Sequence, residues 1–274
     1  MMKTKLIGAI ALAGAMAVST SAAANETISV VGSSSVSPLM EVFGETYSKA
    51  NNVTVEVQGP GSSAGIRVAH DGSADFGMSS RSLKTEEEGP SIKEVVIARD
   101  GIAVVVNPKN PVTNLTKEQV SEIYKGDITN WKQVGGNDQP IVVATRDTAS
   151  GTRGAFEDIM SLKKKINGIK VSAISQRAQV ASGNGQLKTT VANNPFAIGY
   201  ISLGSVDNTV KPLSIDGHQP SVAAIKSGDY SVQRPFIVVY KDGRPSSQAL
   251  EFLSWMTSAK AQKIVADKGF ISVN

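Results

Sequence analysis

Three short turns rich in glycine and serine each join an apolar, strand-like run to a helix-like stretch, and they limit the possible folds more than any other feature. They are Gly32-Ser33-Ser34-Ser35 ahead of Pro38, Gly59-Pro60-Gly61-Ser62-Ser63-Ala64-Gly65, and Ala149-Ser150-Gly151-Thr152-Arg153-Gly154. A strand–turn–helix junction leaves the first helical N–H groups without intrahelical partners and with partial positive charge. Small residues let an anion approach those groups, and hydroxyls add donors. Three such junctions in one chain point to helix ends converging on a small oxyanion.

The segments around the turns set the fold class. Thr27–Val31, Val53–Val57, Asp75–Met78, Val95–Ala98, Ile102–Val106, Ile141–Ala144, Ala197–Ile201 and Pro235–Tyr240 read as strands. Helices are expected from Pro38 with Ser37 as N-cap, from Ile66, over Thr116–Tyr124 with a Thr116/Gln119 capping box, over Arg153–Met160 and Gln186–Ala192, and within Ser247–Lys268. Strands alternating with helices predict an α/β protein with parallel sheets covered on both faces. Ligands of open α/β sheets sit beyond the strand C-termini, where all three turns fall.

The N-terminus reads as an export signal. Lys3 and Lys5 precede the apolar run Leu6–Val18, and small residues follow to Ala22-Ala23-Ala24. Cleavage is expected near Ala24, which makes residues 1–24 a signal peptide. The chain contains no cysteine, which excludes thiolate chemistry, disulfides and a lipid anchor on cysteine. An exported, unanchored chain without disulfides suits the bacterial periplasm, with secretion as the other possibility. Removing Lys3 and Lys5 takes the formal charge from +4 to +2. With no polybasic run and few aromatics, a nucleic-acid partner is not expected. The remaining residues suit two lobes better than one core.

Several catalytic readings fail on the residues. Gly61-Ser62-Ser63-Ala64-Gly65 matches the G-x-S-x-G nucleophile elbow and would make Ser63 a nucleophile, with an aspartate and His218 completing a triad. His70 and His218 are the only histidines, and this serine-hydrolase alternative leaves the other two turns unexplained. There is no zinc, calcium or Walker-type motif, so no metal or cofactor is expected. The third turn carries the most chemistry, because Arg146 ends a strand and can clamp an oxyanion through two hydrogen bonds. Arg81, after Ser79-Ser80, either joins it or neutralises the acidic run Glu86-Glu87-Glu88. Arg146 and Arg153 have a structural alternative as partners of Asp147 and Asp158.

Taken in order along the chain, certain segments resemble the phosphate-binding protein of the bacterial high-affinity phosphate ABC transporter. They are Gly32-Ser33-Ser34-Ser35-Val36-Ser37-Pro38, Gly61-Ser62-Ser63-Ala64-Gly65, Asp75-Phe76-Gly77-Met78-Ser79-Ser80, Ile128-Thr129-Asn130-Trp131, Gly135-Gly136, Arg146 with Ser150-Gly151-Thr152-Arg153, and Ala197-Ile198-Gly199-Tyr200. The resemblance implies a two-lobe type II periplasmic binding-protein fold, each lobe a central mixed sheet flanked by helices, with the ligand cleft between them. It implies residues 25–104 plus 202–274 in the first lobe and 105–201 in the second. It also implies a monomeric, cofactor-free receptor that hands inorganic phosphate to an inner-membrane ABC permease.

Phosphate contacts are carried over to Ser34, Ser35, the Val36 amide, Ser62, Arg146, Ser150, Gly151 and Thr152. One departure matters: a well-studied branch ends the Asp-Phe-Gly motif with an aspartate that accepts the phosphate proton, and here that position is Ser80, which is kept as an expected contact. Asp147 is expected to supply the acceptor instead, and Arg81 a further donor. The substitution also keeps sulfate or molybdate open as alternative ligands.

Overall fold

The computed structural model describes residues 25–274; the signal segment expected over 1–24 lies outside them. Two strand–helix units open the chain: β1 (Glu26–Gly32), α1 (Ser37–Ser48), β2 (Val53–Gln58), α2 (Ser62–Asp71) and β3 (Phe76–Ser79). The middle holds β4 (Ile92–Val106), β5 (Asn114–Leu115), α3 (Lys117–Lys125), β6 (Val142–Arg146) and α4 (Gly151–Ile159). A hairpin, β7 (Lys163–Ile166) and β8 (Ile169–Ser172), leads to β9 (Gln179–Ala181), α5 (Asn184–Asn193) and β10 (Ala197–Ser202). The last part comprises β11 (Lys211–Pro212), β12 (Ser214–Ile215), α6 (Val222–Ser227), β13 (Gln233–Lys241), α7 (Ser247–Met256) and α8 (Ala259–Asp267).

Local sequence explains the helices near the site. In α1, Pro38 fits the first turn, where its missing N–H costs nothing. Leu39, Met40, Phe43 and Tyr47 are buried on one stripe of that helix. Helix α3 has the expected capping box: Thr116 Oγ1 accepts from the Gln119 amide at 3.1 Å, and Gln119 Oε1 accepts from the Thr116 amide at 2.9 Å. Ser37 behaves differently from its expected role as N-cap. It is the first helical residue, and its hydroxyl donates back to the Ser33 carbonyl at 3.0 Å.

The main sheet runs β2-β1-β3-β13-β4-β10-β6-β9, with β11 on the side of β4. Around β1 the pairing is parallel, as the strand–helix alternation predicts, and so it is for β10, β6 and β9. Two long strands change the pattern. β13 runs antiparallel to β3 and β4, and β10 antiparallel to β4, so the sheet is mixed. The sequence reads β4 as two strands interrupted at Arg99-Asp100-Gly101. It is instead one strand of 15 residues, because the Asp100 charge is matched inside the ladder. Arg234, directly across on β13, donates Nη2 to Asp100 Oδ2 at 2.8 Å and Nε at 3.1 Å.

Each half of the sheet has its own core. Ile28, Val30, Leu39, Phe43, Phe76, Phe236 and Phe252 belong to one cluster; Val104, Leu115, Tyr124, Trp131, Phe156 and Tyr200 belong to another. Burying each such side chain contributes about 1.5–3 kcal/mol. Leu213, Ile215, Ile225, Tyr230 and Val232 join the second cluster. The chain therefore stays with the second half well past residue 202, until β13 begins.

Candidate functional site

The N-termini of α1, α2, α4 and α5 meet between the two halves of the sheet. Each follows a short turn of small residues, so nothing bulky separates them. From the first half, Ser33, Ser35, Ser62 and Ser80 are buried; from the second, Arg146, Ser150, Thr152 and Asn184 are buried. Ser35 Oγ lies 2.9 Å from Thr152 Oγ1, and Asn184 Nδ2 donates to Ser35 Oγ at 2.9 Å. The Ser63 amide donates to the Ala149 carbonyl at 3.1 Å. These bonds join residues far apart in sequence into one buried cluster.

Two glycines make the approach possible. Gly61 has φ +117°, and a Cβ there would stand 2.9 Å from the Ala149 carbonyl oxygen. At Gly151 a Cβ would fall 2.1 Å from Ser62 Oγ and 2.8 Å from Ser80 Oγ. Any side chain at 151 would thus push α4 away from α2. The amides of Gly151 and Thr152, at the start of α4, have no protein acceptor among the described residues.

Arg146 supplies the positive charge. The residue is 1% exposed, and its guanidinium hydrogen-bonds only neutral oxygens. Nε donates to the Ala181 carbonyl at 3.2 Å, Nη1 to Asn184 Oδ1 at 3.2 Å, and Nη2 to Ser34 Oγ at 3.1 Å and the Ser182 carbonyl at 3.0 Å. Burial pushes its pKa down, against the pull of the neighbouring Asp147 carboxylate. Its backbone is held from behind: the Arg146 amide donates to Tyr200 Oη at 3.2 Å, and Thr145 Oγ1 is 2.8 Å from the same oxygen. Tyr200 stacks on Phe156 with ring centroids 4.0 Å apart, and burial raises its phenol to about 12.

The structure brings together Ser34, Ser35, Ser62, Ser80, Arg146, Ser150, Gly151 and Thr152 of the expected set. Val36 is beside them, but its amide donates to the Ser33 carbonyl at 3.1 Å. Ser150 Oγ caps α4 by accepting from the Arg153 amide at 3.2 Å. Arg81 does not reach the cluster with its guanidinium. Nη1 and Nη2 clasp Glu87 at 2.6 and 2.8 Å, so the acidic run has claimed it. Burial pushes the Glu87 carboxyl up, but the Arg81 and Lys84 hydrogen bonds outweigh that and hold it below its ordinary value. Asp147 Oδ1 takes the Ala149 amide at 2.8 Å in a local turn, and among the described residues no hydrogen bond ties its carboxylate to the cluster. Arg153 pairs with Glu157 rather than Asp158, at 2.8 Å, and also donates to the Arg146 carbonyl.

Ser63, the nucleophile of the alternative reading, bonds neither histidine. His70 Nε2 contacts the Glu87 carbonyl at 2.8 Å, and His218 is exposed on the turn after β12. The side chain missed from sequence is Asn184. Its signal was a fourth junction, Ser182-Gly183-Asn184-Gly185, hidden because β9 before it has only three residues. Beside the cluster lies a cleft of about 670 Å³, lined among others by Ser63, Arg81, Ser150, Arg153 and Arg234. The Ser63–Ala149 hydrogen bond is among the contacts joining the two halves at that edge of the cluster.

The profile of the PBP superfamily domain matches residues 17–260. The chain is 33% identical over 251 residues to the phosphate-binding protein PstS of Borreliella burgdorferi, covering 90% of each. It is 40% identical to a putative phosphate ABC transporter substrate-binding protein with bound phosphate from Clostridium perfringens, with TM-score 0.86 over 91% of this chain and 100% of that one. An ABC-type phosphate transport receptor from Vibrio cholerae is 42% identical, with TM-score 0.76 over 89% and 99% of the two chains.

Proposed function

The chain belongs to the PBP superfamily and, within it, to the PstS phosphate-binding proteins, and from that premise we propose that it is the substrate-binding receptor of a phosphate ABC transporter. Phosphate lies where the four helix N-termini meet, held by the amides of Gly151 and Thr152, by the serine and threonine hydroxyls, and by Arg146. Such fixed dipoles are stronger in a site without water than in solution, and they need no reorganisation when the anion arrives.

One observation carries the reading. An arginine that is 1% exposed, with its guanidinium bonded only to neutral oxygens, is costly to bury, and an anion at the adjacent helix ends removes that cost.

The two lobes are the two halves of the sheet, residues 25–101 plus 233–274 and residues 102–232, and they close on the ligand. Contacts from both sides favour the closed form, which the permease reads. The receptor makes and breaks no covalent bond. It acts in the periplasm as a monomer without a cofactor or anchor, after loss of residues 1–24; the exported protein then begins at Asn25, which its mass would show.

The direct test is to unfold the purified protein, identify the anion released, and titrate the refolded apo form with phosphate by calorimetry. One ligand per chain with micromolar or tighter Kd is expected, about 8 kcal/mol or more. A folded protein that takes up no phosphate would overturn the reading.

A further inference from the structure

The phosphate reading leaves open what receives the proton that phosphate carries near neutral pH. A dedicated buried carboxylate would do so and would repel an oxyanion that has no proton to offer. The carboxylates around this site hydrogen-bond groups other than the hydroxyls of the cluster. Asp147 caps its own turn, Glu87 holds Arg81, Glu157 takes Arg153 and Ser172, and Asp100 holds Arg234. Among the described residues no carboxylate hydrogen-bonds Ser33, Ser34, Ser35, Ser62, Ser80, Thr152 or Arg146.

A chain of hydroxyls lies at the helix ends instead. Ser33 Oγ donates to Ser80 Oγ at 2.8 Å, the Ser80 amide donates to Ser62 Oγ at 3.1 Å, and the Ser62 and Ser80 hydroxyls are 3.4 Å apart with either able to donate. All three residues are buried. A hydroxyl has one donor and two acceptor sites, and its hydrogen rotates to suit its neighbours. When a protonated ligand oxygen faces Ser80, its hydrogen turns toward Ser62 and its oxygen accepts. When the ligand oxygen is bare, Ser80 turns its hydrogen toward it. A carboxylate has no such second setting.

We propose that the Ser33–Ser80–Ser62 hydroxyl chain stands in for a fixed acceptor, so that this pocket binds tetrahedral oxyanions with or without a proton, sulfate as well as phosphate. This rests on the phosphate reading of the same site. The magnitude is decisive: a site built around one dedicated ligand hydroxyl rejects an analogue lacking it by about 10⁴-fold or more. A reversible hydroxyl costs the analogue far less.

The test is calorimetric titration of the apo wild-type protein with sodium phosphate and with sodium sulfate in chloride buffer, and competition of one against the other. Sulfate is expected to bind at the same single site within about 100-fold of phosphate. In Ser80→Asp, sulfate binding is expected to fall about 100-fold or more relative to phosphate, because an ionised acceptor then faces it. Phosphate binding with sulfate rejected by about 10⁴-fold in the wild type would overturn the inference and leave the receptor reading intact. Failure of phosphate itself to bind would remove the reading beneath it. If Ser80→Asp does not fold, the wild-type ratio alone decides.

Discussion

Ser35 Oγ and Thr152 Oγ1 stand 2.9 Å apart although 117 residues separate them. One sits just before α1 and the other in the first turn of α4, so this hydroxyl contact measures how closely the two halves of the sheet approach. A hydroxyl hydrogen rotates without moving the backbone, so either group can redirect its donor. The expectations below concern residues that hold this geometry or supply its charge.

Arg146→Met removes a buried charge and keeps much of the side-chain volume. Hydrogen bonds to charged groups contribute about 1.5–3 kcal/mol each, so phosphate affinity should fall at least about 10- to 100-fold. The apo protein should melt no lower than wild type, since an unneutralised buried cation has gone. Calorimetry and thermal melts with and without phosphate check both parts. A variant that binds as tightly as wild type would remove Arg146 from the site.

Gly151→Ala places a methyl 2.1 Å from Ser62 Oγ. The clash lies between the halves rather than inside either core, so the fold should survive while the closed form does not. Phosphate affinity should drop by about 100-fold or more, given that a misfit of about 1 Å costs that much in a preorganised site. Unchanged affinity, measured by calorimetry, would contradict the close approach.

Asp100 and Arg234 form an ion pair that is almost wholly buried. Asp100→Leu leaves Arg234 uncompensated and should destabilise the protein by about 3–5 kcal/mol, whereas Asp100→Leu with Arg234→Met should recover most of that. Urea unfolding of the two variants decides the matter. Additive losses would mean that the pair does not act as a unit.

Glu87 gives a pH dependence with a definite sign. Its folded-state carboxyl is held below its ordinary value, burial being outweighed by the Arg81 and Lys84 hydrogen bonds. Its stabilising contribution is therefore fully present above the unfolded value of about 4.3 and is lost as pH falls through the lower folded value. Glu87→Gln should be less stable than wild type at neutral pH, and the gap should shrink on acidification below about pH 4. A gap that stays constant from neutral to strongly acid pH would rule out ionisation as its source.

Tyr200→Phe deletes the oxygen shared by the Arg146 amide and Thr145 Oγ1. Leaving those two buried groups short of a partner should cost about 1–3 kcal/mol in unfolding experiments. Phosphate affinity should weaken less than in Arg146→Met, because Tyr200 acts through the strand and not on the anion.

The strand–turn–helix junctions were legible because small residues between an apolar run and a helical stretch have few structural uses. The same logic failed at Asn184, where β9 is only three residues long and leaves no apolar run to read. A charged triplet hid the continuity of β4: Arg99-Asp100-Gly101 looks like a break until Arg234, 134 residues away from Asp100, supplies the opposite charge. Arg81 was ambiguous for a similar reason, since sequence could not decide between an anion and Glu87. The β7–β8 hairpin did carry a signal in Asn167-Gly168, whose φ values of +50° and +82° suit a tight two-residue turn.

The pairing of β4 with β13 has a mechanical consequence. Two laminated strands, paired from Gln233 to Phe236 and, after a register shift, from Ile237 to Lys241, resist sliding and stretching but yield to bending and twist, as a leaf spring does. On the proposed closure, changes of aperture between the halves are expected as small dihedral adjustments near Gly101 and Gln233, where the paired strands pass from one half to the other. A flexure of that kind is expected to return to its resting angle once the load is gone, without a separate reset.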